Sequence, residues 1–179
     1  LVTVRNSVTK TTTACFEPSL DYCVVKMPRW DLHKFPRVSH RLGSSMISVG
    51  EVMSIGRSFE EAIQKAVRMV APGSVGLEGK YFESTAQLEE ELVRPTDRRL
   101  YQVQAALEMG YSVDRVHELS KIDRWFLAKL KSIATLRDYL ETQVSSISNV
   151  DKAQMVHLKQ YGFSDLQLAK YSRGSDTEM

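Results

Sequence analysis

Residues 42–70 read LGSSMISVGEVMSIGRSFEEAIQKAVRMV. The first half alternates as a strand does. Ile47, Val49, Met53 and Ile55 share one face, and Ser48, Gly50, Ser54 and Gly56 share the other. Glu51 interrupts the pattern and sets a carboxylate in the middle of the apolar face. Gly50 and Gly56 bracket the segment, and glycine within a strand marks a bulge or the close approach of another backbone. The second half writes out a helix. Ser58 and Glu61 form the Ser-x-x-Glu pattern of a capping box, and Phe59, Ile63, Ala66, Val67 and Val70 fall on one stripe. Pro72-Gly73 closes it.

Working outward, Asp21–Met27 carries apolar residues on both faces and reads as a buried strand, ended by Pro28, which cannot donate to a ladder. It pairs antiparallel with the strand of the quoted stretch. The polar residues before it, with Thr11, Thr12 and Thr13 in a row, read as irregular backbone turning at Pro18. Glycines and then an acidic run occupy 72–94, which reads as a linker holding one short acidic helix. From Pro95 onward the pattern is helical. Thr96 caps a helix with Leu100, Val103 and Leu107 on its stripe, stopped by Gly110. Ser112 opens one with Val113, Val116 and Leu119. Ser120 and Asp123 cap the longest, whose stripe is Ile122, Phe126, Leu130, Ile133 and Leu140. A turn at Ser145–Asn149 leads to a helix with Met155 and Leu158 that ends at Gly162, and Ser164 opens the last. The tail RGSDTEM reads as frayed. The fold class is α+β, with strands and a helix followed by a small all-α unit.

Bulk composition narrows the function classes. With 179 residues, 42% hydrophobic and 26% charged, the chain is globular. A formal net charge of +2 with interspersed signs argues against nucleic acid. No apolar run reaches the roughly 18 residues of a membrane span, and no signal-like segment opens the chain. Cys15 and Cys23, without a CxxC, suit a reducing compartment.

Catalytic constellations are missing from the sequence. His33, His40, His117 and His157 have no metal-ligand spacing, and there is neither a phosphate-binding loop nor a nucleophile elbow. No catalytic, cofactor-binding or metal residue is therefore assigned. Glu51 is the best single candidate, since an unpaired carboxylate on a buried apolar face costs several kcal/mol. It either pairs with Arg57, Arg41 or Lys26, or lines a polar passage. Arg98-Arg99, at a helix start where cations oppose the macrodipole, suits acidic partners on another surface, with a solvated face as the alternative. Arg124-Trp125 beside Phe126 puts aromatic bulk on adjacent faces of one helix. Only one ring can lead the core stripe, which leaves Trp125 for an interface.

The wording of these segments adds a resemblance. SVGEVMSIGRSFEEAIQKA (48–66), FEPSLDY (16–22), PRWDLHKF (28–35), PTDRRLYQ (95–102) and YSVDRVHELSKIDRWFL (111–127) together resemble the large chain of carbamoyl-phosphate synthase. The resemblance implies that 1–71 closes the first ATP-grasp half, which makes carboxyphosphate, that 72–94 is a linker, and that 95–179 is the oligomerisation domain. It implies a fragment of an ATP-dependent ligase making carbamoyl phosphate from bicarbonate, glutamine-derived ammonia and ATP, for pyrimidine or arginine biosynthesis, with the cytoplasmic pyrimidine type favoured. The parent's ATP and Mg (or Mn) would be held by a Glu-x-Asn motif that this sequence lacks, so the fragment holds no cofactor and is itself inactive. The implied partners are the other domains of the parent, a glutamine amidotransferase domain or subunit, and further copies in a homo-oligomer. Met46 matches a position near the family's carbamate tunnel and is otherwise core packing. Two positions depart from the family's wording: Ile47 stands where a lysine is usual, and Lys10 where a glycine is common. The rival readings are a non-catalytic helical protein-interaction module and a helix-turn-helix nucleic-acid binder. The charge balance opposes the latter.

Overall fold

The computed structural model describes residues 4–15, 20–80 and 82–172. The expected turn at Pro18 and the tail after Ser172 lie outside the described residues. Among those described, β1 (Cys23–Arg29) and β2 (Gly50–Gly56) form a two-stranded antiparallel sheet, followed by seven α-helices. The chain is thus α+β. The helices are α1 (Phe59–Val70), α2 (Thr85–Val93), α3 (Arg99–Glu108), α4 (Val113–Ser120), α5 (Arg124–Gln143), α6 (Lys152–Gln160) and α7 (Asp165–Tyr171).

The strands differ from expectation in extent and facing. Pro28 lies inside β1, paired with Glu51. In a two-stranded sheet every strand is an edge, where a missing N–H is tolerated. β2 begins only at Gly50, so Met46 and Ile47 precede it in a loop. Expected on the apolar face of a buried strand, Val49, Met53 and Ile55 instead point outward and are 55%, 62% and 53% exposed. β1 is likewise not buried, and Tyr22 and Val24 are exposed. The reason lies on the small-residue face. Helix α1 lies close against it, Ser54 Oγ donates to the Ala62 carbonyl at 2.6 Å, and a Cβ on Gly56 would stand 3.0 Å from the Ala62 nitrogen. Residues larger than Ser and Gly would push the helix away.

Helix α1 starts where its sequence says, although the reciprocal box is displaced. Ser58 Oγ accepts from the Glu61 N–H at 3.2 Å, while the Glu61 carboxylate accepts from the Arg57 N–H at 2.7 Å, one residue before the expected partner. Ala62, Ile63, Ala66 and Val67 are buried. Ser112, Asp123, Asp151 and Ser164 cap α4, α5, α6 and α7 through their side chains. Thr96 does not cap α3 in the expected way. Its Oγ1 accepts from the Arg98 N–H at 3.3 Å, and the N-cap residue Arg98 makes no side-chain capping bond.

One core runs through both halves. Ile63 and Val67 of α1 join Leu107, Leu130, Ile133, Leu158 and Leu168 in a single cluster. Residues 72–94, read as a linker, contribute Leu77, Leu88 and Leu92, all fully buried. In α5 the buried stripe is Leu127, Leu130, Ile133, Ala134 and Leu140. Leu127 takes the place expected for Phe126, which is 44% exposed. A polar link ties α1 to the C-terminal helices. The buried Gln64 donates to the Tyr161 carbonyl at 3.0 Å and accepts from Gln167 Nε2 at 2.9 Å and from the Leu77 N–H at 3.2 Å.

Candidate functional surfaces

Pairing in the sheet brings Val24 opposite Ile55, Lys26 opposite Met53 and Pro28 opposite Glu51. Side chains alternate across a strand, so Val24, Val49, Met53 and Ile55 form one bare apolar face with Lys26 and Glu51 among them. Glu51 is exposed, not buried. It pairs with Lys26, one of the three partners considered, at 2.9 Å, with side-chain exposures of 59% and 64%. A pair that open contributes about 0–1 kcal/mol. Met46 is 90% exposed in the preceding loop, so it packs in no core of this chain. The structure thus places Glu51 beside a contiguous apolar surface, and patches of that kind mark interaction sites.

A second surface gathers at the start of α5. Asp123 accepts from the Trp125 N–H at 2.8 Å and fixes the first turn. Phe59 of α1 meets Trp125 and Phe126 edge-on, with ring centroids 5.7 and 5.4 Å away, and the latter two are 5.0 Å apart. Lys129 Nζ stands 5.5 Å from the Trp125 ring centre. Trp125 nevertheless remains 52% exposed. Arg124 reaches back to Asp114 at 2.6 Å. The Arg98-Arg99 pair splits. Arg98 is exposed at the α3 N-cap, whereas Arg99 is half-buried and donates through Nη2 to the Ser120 carbonyl.

Two buried carboxylates escaped sequence reasoning. Glu60 is 2% exposed. Its Oε1 lies 3.2 Å from Lys129 Nζ, while its Oε2 has no hydrogen-bond partner. It lines a cavity of about 670 Å³ together with Lys129, Lys159 and Tyr161. Glu78 accepts from Tyr171 Oη at 2.5 Å and from Lys170 Nζ at 2.7 Å. Burial alone would raise its carboxyl, but the Lys170 and Tyr171 hydrogen bonds outweigh it, and the net effect is a carboxyl below its ordinary range. Tyr171 is pushed upward by burial and by the same bond to Glu78. Burial would lower Arg137, yet the Glu108 carboxylate at 2.7 Å raises it overall. No local pattern announces either carboxylate. Glu60 follows Phe59 beside Glu61, and Glu78 stands alone among glycines; the burial of each is decided by α5 or α7 packing over it.

Among the described residues, no three His, Cys, Asp or Glu side chains come together as a metal site, and no helix is long and apolar enough to cross a membrane. Cys15 and Cys23 are free thiols. The surfaces are suited to binding and positioning.

Comparison with known proteins supplies the family. The model of the "Carbamoyl-phosphate synthetase large chain, oligomerisation domain" matches residues 51–179. The multifunctional protein pyr1-3 of Dictyostelium discoideum is 56% identical over 171 residues, covering 95% of this chain and 8% of that protein. The mitochondrial arginine-specific carbamoyl phosphate synthase large chain of Schizosaccharomyces pombe is 50% identical, covering 97% of this chain and 15% of its own length. The multifunctional protein CAD of Squalus acanthias is 52% identical, covering 94% and 7% respectively. The chain therefore spans a small part of the relatives it matches. From a match over most of its length, and from relatives at half identity or better, the chain belongs to the carbamoyl-phosphate synthetase large-chain family and carries its oligomerisation domain.

Proposed function

We propose that this chain acts as a scaffold and association unit within a carbamoyl-phosphate synthase large chain, whose whole activity joins bicarbonate, glutamine-derived ammonia and ATP into carbamoyl phosphate. The observation that carries this reading is the bare outer face of the sheet. Val49, Met53 and Ile55 are more than half exposed on a face whose opposite side packs tightly on α1. In a polypeptide as long as the relatives, further ATP-grasp strands and helices would cover that face. Met46 and Glu51 would then sit at its boundary, as expected for residues beside a polar passage. Glu51, held at 2.9 Å by Lys26, would present a paired carboxylate there. ATP and Mg (or Mn) belong to that larger enzyme. The described residues offer no converging carboxylates to hold the metal, so no step is assigned to them.

Association falls to the aromatic surface. Trp125, with Arg124 beside it and Arg98 exposed at the start of α3, has the aromatic and arginine composition of interface anchors. The partners are the parent's other domains, a glutamine amidotransferase domain or subunit, and further copies. The two free thiols favour a cytoplasmic setting. The purified chain is expected to show no bicarbonate-dependent ATP hydrolysis. Turnover above a mock preparation would contradict the scaffold reading.

A further inference from the structure

Glu60 has a single charged partner. It is 2% exposed, and the Lys129 ammonium at 3.2 Å is the one cation at ion-pair distance from it among the described residues. The neighbouring cations are committed elsewhere, Arg57 to Asp21, Lys65 to Glu61 and Lys159 to Asp165. Lys129 in turn meets no second carboxylate among the described residues. The place of Glu60 in the first turn of α1 adds the positive end of the helix to its surroundings, so the buried carboxylate is tolerated.

The same lysine reaches the aromatic surface. Lys129 follows Trp125 by one turn of α5, on the same face, and its Nζ stands 5.5 Å from the indole centre, within cation–π range. Packing does not fix that ammonium. Its side chain is 37% exposed, and beside it opens the cavity of about 670 Å³ that it lines with Lys159 and Tyr161. A flexible lysine stem with such room stays in one place only if its charged end is held. Among the described residues, the Glu60 carboxylate is what holds it. The first turn of α1 thus acts on Trp125 twice. Phe59 meets the ring edge-on at 5.7 Å, and Glu60, the next residue, anchors the cation over it.

We propose that Glu60 is a positioning residue for Trp125, acting through Lys129. The buried carboxylate pins the ammonium over the indole and so keeps the ring in the orientation it presents outward. Without the carboxylate the lysine swings into the cavity, and the ring turns more freely on an intact helix. The inference rests on the reading of Trp125 as an interface anchor and extends it inward, to a residue that touches no partner itself.

The test is Trp125 fluorescence in the whole chain carrying Trp30→Phe, since the two tryptophans are Trp30 and Trp125. Acrylamide quenching and emission anisotropy, at the dilute end where the chain is monomeric, report the ring. Circular dichroism and urea unfolding report the fold. Glu60→Gln removes the charge and keeps the shape. It should lower the ratio of held to released ring about two- to fivefold, the weight of an exposed cation–π contact, read as stronger quenching and lower anisotropy. Lys129→Arg keeps a cation for both partners and should behave as wild type. Glu61→Gln is the control, because it removes the neighbouring first-turn carboxylate, which pairs with Lys65. It should disturb the stability of α1 and leave Trp125 unchanged. If Glu60→Gln does not fold, the double variant Glu60→Gln, Lys129→Met removes both charges and should show the same release. Unchanged quenching and anisotropy in the folded Glu60 variant, or equal changes in Glu61→Gln, would overturn the proposal. Sedimentation keeps the two readings apart. A wild type that never associates overturns the interface reading, while the dilute fluorescence still decides the role of Glu60.

Discussion

Lys10 shows how a departure from family wording becomes a physical statement. It stands where glycine is common, and its φ is 61°, in the left-handed region. A side chain there meets its own backbone, at about 1 kcal/mol or more relative to glycine. Part of that is offset by the larger entropy glycine loses on folding. Lys10→Gly is therefore expected to raise stability by about 0.5–1 kcal/mol in urea unfolding, and a loss would show that the lysine is held by something else. Glu78 allows a prediction of opposite sign. Its folded carboxyl lies below the ordinary range, so its stabilisation is complete above the unfolded pKa and disappears as pH falls through the folded one. Glu78→Gln should lower stability at neutral pH by about 1–3 kcal/mol, because Lys170 and Tyr171 lose their charged acceptor. The difference from wild type should shrink in acid. Stability curves from pH 7 downward that stay parallel would contradict this role for the node.

At the scale of elements, legibility followed locality. Caps were readable because Ser58, Ser112, Asp123 and Ser164 act within three residues of themselves. Facing was not readable. Alternation in β2 separates two faces but does not say which one meets a helix, and Gly56 and Ser54 won because they let α1 come close. The burial of Glu51 was misjudged for the same reason, as its face was taken to be the inner one, while its pairing with Lys26 was among those expected. In α5, Phe126 and Leu127 are neighbours with equal claims on the stripe, and only the packing of α3 and α4 chooses Leu127. The outcome can be measured. Leu127→Ala should cost about 2–5 kcal/mol, whereas Phe126→Ala, at a site 44% exposed, should cost clearly less in the same thermal or urea unfolding. A reversed order would place the core stripe where the sequence first put it.

Over the whole molecule, the main difference from the sequence reading is continuity. Glycine-rich and acidic wording at 72–94 suggested a connection between units, yet Leu77, Leu88 and Leu92 belong to the same cluster as Ile63 and Leu168. Hydrophobic residues spaced among acidic ones give a weak local signal, and their burial depends on α3 and α4 arriving from later in the chain. The surfaces left bare are the outer sheet face and Trp125 with its neighbours. The most direct measurement is sedimentation velocity of the purified chain over a wide concentration range, for wild type and Trp125→Ala, with circular dichroism on both. The account predicts concentration-dependent association of the wild type. It also predicts that Trp125→Ala weakens that association by about 2 kcal/mol or more, roughly thirtyfold, with helical content unchanged. A wild type that stays monomeric throughout, or a Trp125→Ala chain that unfolds, would contradict it.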